Sequence, residues 1–155
     1  MANDGYMHRA VELAREGVEQ GRGGPFGAVV VKDGVVVGEG SNEVLISQDP
    51  TCHAEVVAIR DACRRLGSFS LAGCEIYASS EPCPMCLGAI YWSRMDRVCF
   101  ANGRDIAASY GFSDEFFYDE LAKPPAAREL TMVRVPSPGS EEPFAAWERK
   151  HATNY

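Results

Sequence analysis

Two hydrophobic rhythms alternate along this chain. Met7, Ala10, Val11, Ala14 and Val18 recur at helical spacing, so residues 6–20 predict an amphipathic helix with Asn3 or Asp4 as its cap. The Gly-rich stretch ending at Pro25 closes it. Two Val-rich runs follow at 26–32 and 35–40, separated by Asp33-Gly34. That dipeptide predicts a hairpin, because a type I′ turn needs positive φ at both central residues. Residues 41–50 form a polar loop. Pro50 and Thr51 lead into a helix reaching Leu66, with Val56, Val57, Ile59, Ala62, Cys63 and Leu66 expected on its buried face, and Gly67 stops it.

The second half repeats the alternation. Residues 74–79 and 97–101 read as strands, on either side of an almost charge-free helix at 83–92. Short helices are expected at 105–110 and 113–121, the latter capped by Ser113, before Lys123-Pro124-Pro125 breaks the pattern. A last strand is expected at 130–135, a linker at Pro136-Ser137-Pro138-Gly139-Ser140, and a terminal helix at 141–151 that exposes Phe144 and Trp147. Strands interleaved with helices imply an α/β layer structure with a mixed sheet of about five strands. The hairpin supplies an antiparallel pair, and the later crossovers favour parallel pairing.

Composition narrows the class. A chain of 155 residues with 46% hydrophobic content suits one domain with a real core. The formal net charge of -7 argues against a nucleic-acid partner, since such affinity leans on Lys and Arg neutralising phosphates. The apolar runs are far too short to span a membrane, and no membrane partner is expected. The first residues carry neither a basic region nor an apolar run, so a cytoplasmic protein with reduced cysteines is expected.

Two stretches carry chemistry: Cys52-His53-Ala54-Glu55 and Pro82-Cys83-Pro84-Met85-Cys86. One His and two Cys make three good zinc ligands, His53, Cys83 and Cys86. Three protein ligands leave a coordination position open, which marks a catalytic zinc. A structural zinc would need a fourth ligand, and the only nearby one is Cys52, whose neighbour His53 already competes for the same metal. H-x-E followed by P-C-x-x-C is the pattern of zinc-dependent nucleobase deaminases. Both halves sit where a loop enters a helix, and the amino end of a helix stabilises thiolates. Glu55 is placed as the proton shuttle: it takes a proton from metal-activated water, passes it to a ring nitrogen and later helps ammonia leave.

Longer stretches carry a resemblance. Gly23-Gly24-Pro25-Phe26-Gly27-Ala28, Asn42, Asp49-Pro50-Thr51 and residues 81–92 are among them. So are Gly111-Phe112-Ser113-Asp114, residues 116–120, Lys123-Pro124, Pro143-Phe144, Ala146-Trp147 and Asn154-Tyr155. In these the chain resembles the cytidine-deaminase-like superfamily, and within it the small bacterial guanine deaminases. The resemblance implies a three-layer α/β/α sandwich, zinc on His53, Cys83 and Cys86, and conversion of guanine to xanthine and ammonia. It also implies a homodimer in which the segment at about 136–155 is exchanged between subunits. A different deaminase on the same frame, acting on tRNA adenosine, guanosine or an aminotriazine, is the alternative, and a non-catalytic zinc module is a further one.

Substrate contacts rest on fewer signals. Phe26 could stack on a flat purine or simply open a strand. Asn42 could hydrogen-bond a ring edge or serve as a turn residue. Asp114 is the best second acid/base, with Glu115, Asp119 and Glu120 as competitors; its plainer role is a helix-start Asp. Tyr155 could cap the site or be a frayed end. Trp92 is expected in the core, His8 and His151 on the surface, and Cys63, Cys74 and Cys99 as small apolar side chains.

Overall fold

The computed structural model of the chain describes residues 4–150. Asn3, His151, Asn154 and Tyr155 therefore lie outside the described residues. Internal contacts divide the chain into two compact units, Met1–Asp114 and Glu115–Tyr155.

The first unit is built on four strands, β1 (Gly27–Lys32), β2 (Val35–Ser41), β3 (Cys74–Ser80) and β4 (Arg97–Asn102). Their order in the sheet is β2-β1-β3-β4. Asp33 and Gly34 have φ of 49° and 78°, so the hairpin turn is the one Asp-Gly predicts. β1 runs antiparallel to both neighbours, and β3 pairs parallel with β4. β2 and β3 thus point the same way, as a helical crossover between them requires, but β1 lies between them.

Helices cover both faces of the sheet. α1 (Asp4–Glu19) lies on one side, where Leu13 packs with Val29, Val31 and Tyr77. α3 (Ala54–Leu66) and α4 (Pro84–Trp92) lie on the other, where Ala54, Ala58, Ala62 and Ile90 pack with Ala28, Val30 and Ile76. Alternate residues of β1 serve the two cores, which is why the strand reads as an unbroken apolar run. The fold is the expected three-layer α/β/α sandwich. Two short helices, α2 (Val44–Ser47) and α5 (Arg104–Ser109), complete this unit. α2 falls within the stretch expected as a polar loop.

Among the described residues the sheet has four strands, not about five. Residues 131–137 adopt no regular structure, and Leu130, Met132, Val133 and Val135 are exposed. Their alternation is strand-like, but a strand exists only through ladder hydrogen bonds, and among the described residues this segment has none. The second unit holds α6 (Glu115–Ala122), a 3₁₀ turn (Pro125–Ala127) and α7 (Glu142–Arg149). α6 begins after Asp114, so Ser113 is not its cap.

The face of α3 also departs from expectation. Its most buried residues are Ala54, Glu55, Ala58, Asp61 and Ala62, while Leu66 is exposed. Gly38 and Gly40 of β2 explain this. A Cβ on Gly40 would fall 2.4 Å from the Ala54 carbonyl oxygen, and one on Gly38 2.5 Å from that of Ala58. Bare backbone on the strand lets the helix approach until only alanines fit between them. Asp61 then reaches the outer edge of the sheet, where its Oδ2 accepts the Glu39 amide at 3.1 Å.

Candidate active site

His53 immediately precedes α3 and Cys83 immediately precedes α4, both in extended conformation at the N-cap positions. Glu55 and Cys86 lie in the first turns of the same helices. Pro84 opens α4, where its missing N–H costs nothing. The two helix amino ends meet on one side of the sheet, and this brings together residues thirty apart in sequence.

His53 Nδ1 lies 3.6 Å from Cys83 Sγ and 3.5 Å from Cys86 Sγ. The three ligand atoms all lie within 4.8 Å of one another. Tetrahedral zinc, with Zn–S about 2.3 Å and Zn–N about 2.0 Å, sets N···S edges of about 3.5 Å. The donor set therefore fits a zinc ion, and Nδ1 is the His53 nitrogen that faces the sulfurs. Cys52 is not part of the cluster. Its thiol donates to Asp49 Oδ2 at 3.3 Å and accepts from Arg60 Nη1 at 3.6 Å.

Glu55 is 7% exposed, and its Oε2 accepts from the Cys86 thiol at 3.4 Å. Burial, above all, pushes its carboxyl above the usual carboxylate range. The two thiols share a proton: a hydrogen bond from Cys86, with help from His53, holds Cys83 down to about 4, and the same bond pushes Cys86 up. His53 is raised, chiefly by its hydrogen bond to Cys83. Of these groups only Cys83 is shifted toward its anionic form; His53 is shifted toward the cation, and Cys86 and Glu55 toward their neutral forms.

The other expected contacts divide. Phe26 is half-buried and packs against the core cluster that contains Ala54. Asn42 is buried, and its Oδ1 accepts the amides of Gly24 at 3.1 Å and Val44 at 3.2 Å. The Asn42 amide itself donates to the Phe26 carbonyl at 2.9 Å, so Phe26 and Asn42 belong to one knotted turn. Asp114 is half-buried. Burial raises its carboxyl most, Arg104 opposes, and the charge of Cys83 adds to the rise. Glu120, by contrast, is bound to Lys123 Nζ and to the Glu129 amide at 2.7 Å, so it is occupied within its own unit. Glu115 and Asp119 are exposed.

Two expectations about aromatic residues need correction. Trp92, the last residue of α4, is 65% exposed and is not part of the core. Phe112 was not singled out for the site, yet its ring stands edge-on to Phe26 at 5.1 Å. Its sequence signal was its position two residues before Asp114.

Comparison with known proteins agrees with this geometry. Residues 2–102 match the family described as the cytidine and deoxycytidylate deaminase zinc-binding region. The chain is 51% identical over 147 residues to a guanine deaminase of Bacillus subtilis, covering 95% of this chain and 94% of the relative. The X-ray structure of a guanine deaminase from Bacillus subtilis superposes with a TM-score of 0.92 at 50% identity, covering 100% of this chain and 98% of that one. A tRNA-specific adenosine deaminase of Aquifex aeolicus is 41% identical over 101 residues, or 65% of this chain and 66% of the relative. With its helix-borne His53, Cys83 and Cys86 set for a metal and a family match over most of its length, the chain belongs to the cytidine and deoxycytidylate deaminase family.

Proposed function

We propose that this protein is a guanine deaminase that hydrolyses guanine to xanthine and ammonia. One observation carries the reading above others: similarity to a guanine deaminase runs through 95% of the chain at 51% identity, whereas similarity to four tRNA-specific adenosine deaminases runs through 49–73% of it at 37–41% identity. The site chemistry agrees. His53 Nδ1, Cys83 and Cys86 would hold zinc, and zinc held there supplies an acidified water as the nucleophile.

The chain's own residues then do the rest. Glu55, buried beside Cys86, removes the proton from the attacking water and delivers it to a ring nitrogen of the purine. A C–O bond forms at the amino-bearing carbon. Glu55 then takes the remaining hydroxyl proton from the tetrahedral carbon and, with Asp114 beside it, passes that proton to the amino group, so that a C=O forms as the C–N bond breaks and ammonia leaves. Asp114 suits the second role because burial above all, with the charge of Cys83 adding to it, shifts its carboxyl toward the protonated form. Phe26 offers a face for stacking. Asn42 has committed its Oδ1 to two amides, so its NH₂ end is the donor for a purine acceptor.

We further infer a homodimer that exchanges its 136–155 segment, with the partner's Tyr155 closing each site. Support comes from the Pro-rich linker and from Leu130, Met132, Val133, Val135, Phe144 and Trp147, large apolar side chains that are each exposed within one small unit. All six cysteines are free, in keeping with the cytoplasm.

Parallel assay of guanine, guanosine, cytosine and an adenosine-containing RNA hairpin tests the substrate. Ammonia from guanine alone, or from guanine far faster than the rest, is expected; rapid release from the RNA with none from guanine would replace this reading by the tRNA one. Glu55→Gln should retain zinc and lose about 10²–10⁴ in rate, the span of general acid–base catalysis. Deleting residues 144–155 should lower turnover more than thermal stability.

A further inference from the structure

Residues 110–114 leave α5 and carry Asp114 to the edge of the first unit. This loop is shaped by its own backbone: Gly111 has φ of 89°, and the Phe112 amide donates to the Ala107 carbonyl at 3.0 Å. It meets the site through an aromatic contact. The Phe112 ring stands at 89° to that of Phe26 with centroids 5.1 Å apart, the edge-to-face arrangement that aromatic quadrupoles favour. Gly24 lies beneath both rings. A Cβ there would be 3.2 Å from two atoms of the Phe26 ring and 3.3 Å from the Phe112 ring. The Gly24 carbonyl in turn accepts the Phe26 amide at 2.9 Å, and its amide is held by Asn42. One side of the aromatic pair is therefore anchored in the knotted turn at the start of β1, and the other belongs to the loop that bears Asp114.

We propose that Phe112 is a positioning residue: docked edge-on to Phe26 over the bare backbone of Gly24, it holds the 110–114 loop so that Asp114 faces the His53–Cys83–Cys86 cluster. This rests on the reading of Asp114 as the second acid/base. Phe112 acts on the rate through Asp114 and leaves the metal ligands alone. A side chain at Gly24 would crowd both rings, each of which would have to give by a few tenths of an ångström.

A kinetic double-mutant cycle on the full-length, zinc-loaded protein tests this, using Phe112→Ala, Asp114→Asn and the pair, with zinc content measured for each. An edge-to-face pair corresponds to about two- to tenfold in an equilibrium. Phe112→Ala should lower kcat/KM for guanine by about that factor with zinc stoichiometry unchanged. Asp114→Asn should lower it further, and the double variant should be no worse than Asp114→Asn alone. Phe112→Tyr, which keeps the ring, should recover most of the rate, and Gly24→Ala, which only crowds the pair, should lower it less than Phe112→Ala does. Losses that multiply in the double variant would overturn the proposal, as Phe112 would then act independently of Asp114. So would loss of zinc in Phe112→Ala, or no change at all. Asp114→Asn with full activity would instead refute the role of Asp114, and the positioning role with it.

Discussion

Gly40→Ala should damage fold and metal site together. Its Cβ would sit 2.4 Å from the Ala54 carbonyl oxygen, 2.6 Å from the Ala58 amide nitrogen and 2.9 Å from the Val57 Cβ. The first two neighbours are helix backbone and cannot swing aside. Ordinary contact is about 3.5 Å, so the amino end of α3 must retreat by about 1 Å. Overpacking of this kind costs about 1–3 kcal/mol, which for a chain of this size lowers Tm by about 2–4 °C per kcal/mol. The same retreat acts on the metal cluster, because Ala54 lies between His53 and Glu55. An N···S edge of 3.5–3.6 Å stretched by much of an ångström no longer matches the zinc bond lengths. Two assays read this separately: urea denaturation of the metal-free protein for packing, and competition with a chelator for zinc affinity. Gly40→Ala should lose in both, whereas Val35→Ala, at an exposed position on the same strand, should lose in neither. A Gly40→Ala variant within 0.5 kcal/mol of the parent and with equal zinc affinity would refute close packing of β2 on α3 as the device that sets the site.

Other predictions follow from the same contacts. Stripping zinc with a chelator should lower Tm, and adding zinc back should restore it, because the ion would join the amino ends of α3 and α4; at a thousandfold excess over Kd the linkage is worth about 4 kcal/mol, and a Tm indifferent to chelation would contradict it. Asp61→Ala should cost about 1–3 kcal/mol in urea denaturation, since the Glu39 amide loses its acceptor and Arg64 and Arg65 lose their partner. Lys123 first, and the Glu129 amide next, hold the Glu120 carboxyl below the usual carboxylate range. Its stabilisation is therefore complete above the unfolded carboxylate pKa and fades as pH falls through the lowered value. Glu120→Gln should flatten the acid side of the Tm–pH curve, and an unchanged curve would show that the pair contributes nothing.

Much of this protein was legible in one dimension because its signals are local. Asp33-Gly34 determines its turn through the φ values it tolerates. The α/β alternation follows from hydrophobic period, and His53, Glu55, Cys83 and Cys86 announce a metal chemistry through residue type and spacing alone. What failed was non-local. The strand expected at 130–135 has the right pattern, but a pattern cannot supply a ladder partner. Leu66 and Trp92 are apolar yet exposed, since which side of a helix is covered depends on what lies opposite.

Only the tertiary structure decided the rest. Gly38 and Gly40 look like weak points in a strand until α3 is seen resting on them. Phe112 looks like one more aromatic residue until its ring meets Phe26 over Gly24. His53 has two nitrogens, and only the meeting of two helix ends selects Nδ1. The sequence by itself determined which groups could bind a metal and move a proton. The distances that let them act together come from packing between segments far apart in the chain, where backbone contact and excluded volume rather than residue identity set the geometry.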